Sequence, residues 1–299
     1  IGYLETGRES SLSTGNKSHI TLYVALGIKS RACLAEGDWD GAFKAAKRVI
    51  DEGGYAVGTK SDLTSGMNSL DKQNVMWGAG IQVADQAGGY AGFFTHMDNK
   101  EGAYAKSAPK LISKQLYNRI SATDIRRDWW DPSDKESPYV SKKFSFANVA
   151  SFLGDYIYMR VEEMYFTAAE AALRLDDLKS ARELMNTVMA ERDPGYSANN
   201  RSGTLLGATT TTWTGSFLEN ILTHRRIELW GEYGRLFDVR RLGQGIDRRT
   251  DDGFSEECIS MMNRRNVNIT KADTYDWVLT IPKAELDANP NINEEDQNP

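Results

Sequence analysis

Between Val161 and Leu173 the apolar residues recur at the spacing of one helical face. Val161, Met164, Tyr165, Ala168, Ala172 and Leu173 stand at i, i+3, i+4, i+7, i+11 and i+12, which places them on a single stripe that must be buried. A second stripe follows at Leu178, Ala181, Leu184, Met185, Val188 and Met189, and Asp177 stands where an N-cap is needed. So few residues separate the stripes that the two helices are predicted to fold back on each other as an antiparallel hairpin. Ala168, Ala169, Ala171 and Ala172 leave room for a partner helix to approach closely.

The same unit occurs earlier in the chain. Residues 18–34 read as one helix and 38–52 as the next. Laying Asp177 on Asp38 places Leu178 on Trp39, Ala181 on Ala42, Leu184 on Ala45, Met185 on Ala46, Val188 on Val49 and Met189 on Ile50. Every apolar position is kept, and both units run into a Gly-Tyr, at Gly54–Tyr55 and Gly195–Tyr196. Hairpins of this length with alanine at a close-approach point suggest tetratricopeptide-like repeats. The plainer reading is a pair of unrelated amphipathic hairpins.

Charge removes several function classes. Lys plus Arg total 36 against 42 for Asp plus Glu, a net of −6 with the signs interspersed, and no basic stripe marks a nucleic-acid face. No apolar run is long enough to span a membrane. Cys33 sits in a helical stripe as a small buried hydrophobe and Cys258 is far away in sequence. No Cys/His cluster points to a metal, and no glycine-rich phosphate loop or nucleophile elbow is present. No cofactor is expected.

The helices are separated by long irregular stretches, and functional sites concentrate on such insertions. Residues 74–83 read as a short strand. Residues 86–102 are rich in glycine and aromatic residues, and 108–120 return to helical spacing. A sugar site needs aromatic faces for the C–H face of the ring, at about 25 cal/mol per Å² buried. It also needs polar side chains to replace the water lost by the hydroxyls. Gln86, Tyr90, Phe93, Phe94, His96, Asp98 and Asn99 supply both within one stretch and are the first candidate ligand residues. Phe93 and Phe94 are equally suited to anchoring the loop in the core. Trp129 and Trp130 are the second candidate. In an extended segment neighbours point to opposite sides, so one ring would pack inward and the other face out. Trp213 is a third, weaker candidate, and Trp39, Trp77 and Trp230 are expected in the core.

Helix 217–231 and its extension are dense in charge. Glu228 and Glu232 stand four apart, the arrangement of an acid and base pair in glycoside cleavage. Arginines one turn away, Arg225 and Arg235, argue for an ion-pair network instead, because a nearby guanidinium lowers a carboxylate pKa and a general acid needs the opposite. His224 is expected at the surface or bonded to a partner. No catalytic residue is assigned.

Three segments carry a resemblance. RVEEMYFTAAEAA at 160–172, THRRIELWGEYGRLFDVRRLG at 223–243 and LTIPKAELDANPNINEEDQNP at 279–299 occur in the order found in SusD/RagB-type proteins. KSRACLAEGDWDGAFKAAKRVIDEGGY at 29–55, IRRDWWD at 125–131 and KKF at 142–144 are similar to the family as well. One departure is His224, where the family usually has Glu. The resemblance implies a mainly α fold, with tetratricopeptide-like hairpins as scaffold, long loop-rich insertions and a few short strands. It implies one SusD-like domain over 1–299 that lacks the usual N-terminal part and is the C-terminal portion of a longer protein. Within it, 18–55 is the first hairpin and 59–150 the insertion with the ligand site. Residues 155–243 hold the second hairpin and charged helix, and 244–299 a polar segment and tail. It further implies a surface-exposed outer-membrane lipoprotein of Bacteroidetes, attached only through a lipid anchor outside this chain. Such a protein captures an oligosaccharide without cleaving it and passes it to a SusC-like TonB-dependent transporter. The alternatives are a protein-interaction module that uses the repeat groove, a binder of peptide nutrients and, last, a glycoside hydrolase.

Overall fold

The computed structural model describes residues 1–2, 16–85, 92–199, 215–245 and 278–297. Gln86, Tyr90, Trp213 and Cys258 lie outside these residues. The chain divides into two compact units, residues 1–208 with 213–235 and residues 209–212 with 236–299.

The first unit is built on α1 (Leu22–Glu36), α2 (Trp39–Glu52), α3 (Val161–Arg174), α4 (Leu178–Ala190) and α5 (Phe217–Glu228). Helices α1 and α2 form one hairpin and α3 and α4 the other. α2 packs on α3, which also receives α5. The caps follow the sequence. Asp38 accepts from the Gly41 N–H and Asp177 from the Ser180 N–H, so the two aspartates that align in sequence start equivalent helices. Ala42, Ala45, Ala46 and Val49 are buried on α2, as Ala181, Leu184, Met185 and Val188 are on α4. Ala168, Ala169, Ala171 and Ala172 are at most 1% exposed, which is how α3 can take neighbours on several sides. α1 also comes close to strand β4 (Tyr156–Arg160) at Gly27, where an added Cβ would collide with Met159 Sδ. Cys33 is buried with a free thiol.

Short strands complete the unit. β1 (Val75–Ala79) pairs antiparallel with β4. β2 (Trp130–Asp131) pairs with β3 (Val140–Ser141). The 108–120 segment is helical only over Lys114–Tyr117, capped by Ser113. The 86–102 stretch contains a short helix, Phe93–Met97. α5 ends at Glu228, three residues short of the expected Gly231.

Past that end lies a buried ionic core. Glu228 Oε1 accepts from Arg160 and Arg192 at 3.0 Å each, and its Oε2 from Arg126 at 3.1 Å and Arg192 at 3.0 Å. Glu232 accepts from Arg160 at 2.7 and 2.8 Å and from Lys143 at 2.5 Å. Asp124 holds Arg126 and Glu162 holds Arg192. The expected network is present, with other partners. Arg225 turns instead to Glu163, 3.6 Å away, and the bases that surround Glu228 come from distant segments. Burial pushes the Glu228 carboxyl up, but Arg192, Arg160 and Arg126 outweigh it and hold it well below the usual carboxylate range. Arg160 and Lys143 likewise outweigh burial at Glu232 and lower its carboxyl below the ordinary value.

In the second unit, Asp238 accepts from Arg241 within the helix Arg235–Arg241. Gln297 makes two hydrogen bonds to the Ile281 backbone, next to the helix Lys283–Ala288.

Removing Glu228 leaves three buried guanidinium groups short of a carboxylate. Glu228→Gln is therefore expected to lower the unfolding free energy by about 3–5 kcal/mol in urea titration; a loss under 1 kcal/mol would contradict this account of the core. Stability also depends on acid. The unfolded glutamates take up protons near their ordinary pKa of 4.5, while native Glu228 and Glu232 resist. The stabilisation is therefore complete above about pH 4.5 and is lost as pH falls below it. Denaturant midpoints measured from pH 6 to 3 should fall, and fall less in Glu228→Gln.

Candidate functional site

The described loop candidates separate into three groups. Phe94 is 2% exposed and packs on Phe146 and Tyr156. Asp98 is buried and spends its carboxylate on the backbone N–H groups of Lys100, Glu101 and Phe146. Asn99 ties Lys110 to Ser141 through the backbone. These three hold the loop together. His96 is exposed and lies flat on Tyr104, with ring centroids 4.6 Å apart and planes 1° from parallel. Phe93 is half-buried and faces a cavity.

Trp129 and Trp130 do not divide between core and solvent. They are 2% and 1% exposed. The expected alternation needs an extended segment, but Ile125–Trp129 is a 3₁₀ turn and only Trp130 begins a strand. Trp129 donates to the Leu63 carbonyl at 2.8 Å, and Trp130 stands edge-on to Trp129 and Trp230. Both belong to a second hydrophobic cluster with Leu116, Ile120 and Ile227. Before them, Arg126 is in the ionic core. Arg127 donates to the Ile120 carbonyl and lies over the Tyr117 ring. His224 is buried, and its Nδ1 accepts from Arg126 at 2.8 Å.

The cavity that Phe93 faces has a volume of about 470 Å³, within the range of small-molecule sites. Its lining includes Met67 and the rings of Phe93, Phe144, Trp77, Tyr156 and Tyr158, together with Arg31, Glu232 and Tyr233. The β1–β4 ribbon sets its shape. Val75 pairs with Arg160, Trp77 with Met159 and Gly78 with Ile157, so one residue of each strand, Met76 and then Tyr158, is left without an opposite partner. Such bulges re-aim side chains. Tyr158 is 42% exposed and stands edge-on to Trp77 at 5.1 Å. Arg31, on α1, donates to both Glu163 oxygens and to the Tyr158 carbonyl, and its guanidinium lies 3.8 Å from the Tyr233 ring centre. Gly231 has φ +74°, and an added Cβ would stand 2.6 Å from the Phe144 ring, so the turn after α5 requires glycine there.

Sequence reasoning placed Trp77 in the core and passed over Tyr156, Tyr158, Tyr233 and Arg31. One signal was present: the alternation of Tyr156-Ile157-Tyr158-Met159 just before the α3 stripe is strand-like.

The sequence profile of the SusD family matches residues 94–299. The chain belongs to the SusD family. Solved structures agree on the fold. A SusD-like carbohydrate binding protein from Bacteroides vulgatus is 25% identical, with a TM-score of 0.75 over 97% of this chain and 62% of that one. A SusD superfamily protein from Bacteroides thetaiotaomicron is 23% identical, with a TM-score of 0.73 over 97% of this chain and 63% of that one. Surface glycan-binding protein A from Bacteroides uniformis is 17% identical, with a TM-score of 0.61 over 97% of this chain and 64% of that one. The chain spans less than two thirds of the length of each of these three proteins. No curated protein matches it.

Core and cavity aromatics are told apart by truncation. Trp130→Ala is expected to cost about 3–5 kcal/mol of stability, and Tyr158→Ala under about 1 kcal/mol, in chemical denaturation. The reverse order would overturn the assignment.

Proposed function

We propose that this SusD-family protein captures an oligosaccharide at the outer-membrane surface, leaves its bonds intact and passes it to a SusC-like TonB-dependent transporter. The observation that carries the reading is the ring-lined cavity. Trp77 and Tyr158 line it with their rings, and among the described residues neither the indole N–H nor the Tyr158 hydroxyl has a hydrogen-bond partner. Aromatic faces beside uncommitted polar tips suit a pyranose ring, which has an apolar face and a polar edge. Family membership and the carbohydrate- and glycan-binding descriptions of two similar structures support the same ligand class. The exposed, stacked His96–Tyr104 pair offers a second aromatic surface.

The non-catalytic part of the proposal is supported by the carboxylates. Glycoside cleavage needs a protonated acid near neutral pH. Glu232 borders the cavity, but Arg160 and Lys143 hold it ionised. Among the described residues no helix is long and apolar enough to cross a membrane, and in the proposed reading a lipid anchor outside this chain makes the surface attachment.

Titration calorimetry against a glycan panel tests the proposal. One class of oligosaccharide is expected to bind without turnover. Trp77→Ala and Tyr158→Ala should each weaken it by about tenfold. Binding unchanged in both variants would remove the cavity as the site. Product release that is abolished by Glu232→Gln would overturn the non-catalytic reading. Recovery of a transporter by a protein that binds no glycan would favour an interaction module.

A further inference from the structure

The hydrogen-bonding groups of the cavity are unbalanced. Its carboxylate, Glu232, is already spent. Oε1 accepts from Arg160 Nη2 and Lys143 Nζ, and Oε2 from Arg160 Nε. The Tyr158 carbonyl accepts from Arg31. The Tyr156 hydroxyl accepts from the Phe93 N–H at 3.3 Å. The uncommitted nitrogens of the cavity can only donate. Arg31 uses Nε and Nη2 on Glu163 and the Tyr158 carbonyl, and among the described residues nothing bonds its Nη1. The Trp77 indole N–H is a second such donor, and the Tyr158 hydroxyl can donate as well as accept.

This imbalance selects among sugars. A neutral hydroxyl can accept but must also place its own hydrogen, and a buried hydrogen without an acceptor costs free energy. A carboxylate or a sulfate ester only accepts, and its bond to a guanidinium is charge-assisted. Glu163 takes Arg31 through both oxygens, at 2.8 and 2.6 Å, and its Oε1 also lies 3.6 Å from Arg225, so two guanidinium groups face one carboxylate. The Arg31 side chain is only 12% exposed, so an anion beside it is screened less than at an open surface. Stacking on Tyr233 fixes the guanidinium plane.

Resting on the oligosaccharide reading above, we propose that the cavity takes an acidic sugar unit. Its anionic group sits on Arg31 Nη1, with the Trp77 indole N–H as second donor, and its ring face lies against Trp77 and Tyr158. Neutral units of the same chain would lie outside the cavity.

The test is calorimetry on the purified protein with three oligosaccharides of matched length: an oligogalacturonide, a neutral galacto-oligosaccharide and a sulfated galacto-oligosaccharide. At least one anionic ligand is expected to bind tenfold or more tightly than the neutral one, and raising salt from 0.05 to 0.5 M should narrow the gap. Which anionic arm binds tighter separates carboxylate from sulfate recognition. Arg31→Gln should abolish the preference. Because that change also breaks the pair with Glu163, Trp77→Phe serves as the second variant. It keeps a stacking ring, removes the N–H, and should lower affinity for the acidic ligand several-fold more than for the neutral one. A neutral ligand that binds as tightly as both anionic ones overturns the acidic preference and leaves the oligosaccharide reading standing. No binding in any arm by folded protein overturns both.

Discussion

Four bases and four acids share one water-poor space at the centre of the first unit, and the protein depends on their being matched. Arg126, Arg160, Arg192 and Lys143 face Asp124, Glu162, Glu228 and Glu232, with side chains at most 9% exposed. A buried charge without a partner costs several kcal/mol, so each donor has to reach an oxygen. The guanidinium groups do this with several bonds each, and Arg192 also takes the Gly58 carbonyl. Lys143 shows how demanding the space is. Burial lowers its pKa, Glu232 restores part of it and Arg160 lowers it again, for a result of about 8. Glu162 Oε2 lies 3.0 Å from Arg160 Nη1 but outside hydrogen-bond geometry, so it is held by charge alone.

This core joins the segments that the helices leave apart. Arg126 comes from the turn before β2, Lys143 from the strand region after β3, Arg160 from the end of β4, Arg192 from the end of α4, and Glu228 from the end of α5. The helical hairpins supply a rigid frame through alanine-lined contacts. The charges then fix where β4 and the turn after α5 stand relative to that frame. Tyr156, Tyr158 and Tyr233 lie within a few residues of Arg160 and Glu232, so the cavity inherits its geometry from the ionic core.

What the sequence revealed follows from the range of the interactions. The hairpins were legible because their signals are local: a 3.6-residue stripe, an aspartate cap and a run of alanines. Asp38 and Asp177 aligned in sequence and proved to be equivalent caps. The ionic network was legible in kind, since adjacent like-charged glutamates need arginines, but its partners were not. The bases one helical turn away in sequence were Arg225 and Arg235, whereas Glu228 is met by Arg126, Arg160 and Arg192. The tryptophan pair failed for a related reason. Trp129 and Trp130 would split between faces only on an extended chain, and a 3₁₀ turn ends between them. The cavity was least legible, because its walls come from α1, β1, β4, Phe93, Phe144 and the turn at Gly231, and no window of sequence contains more than a few of them.

In the proposed function, the charge-locked frame carries a ring-lined cavity that takes a sugar without cleaving it. A crystal structure of the protein with a bound oligosaccharide tests that reading most directly. The account predicts one intact sugar unit against Trp77 and Tyr158, with Glu232 still paired to Arg160 and Lys143. A sugar bound elsewhere with the cavity empty, or Glu232 released from its bases to face a glycosidic oxygen, would contradict it.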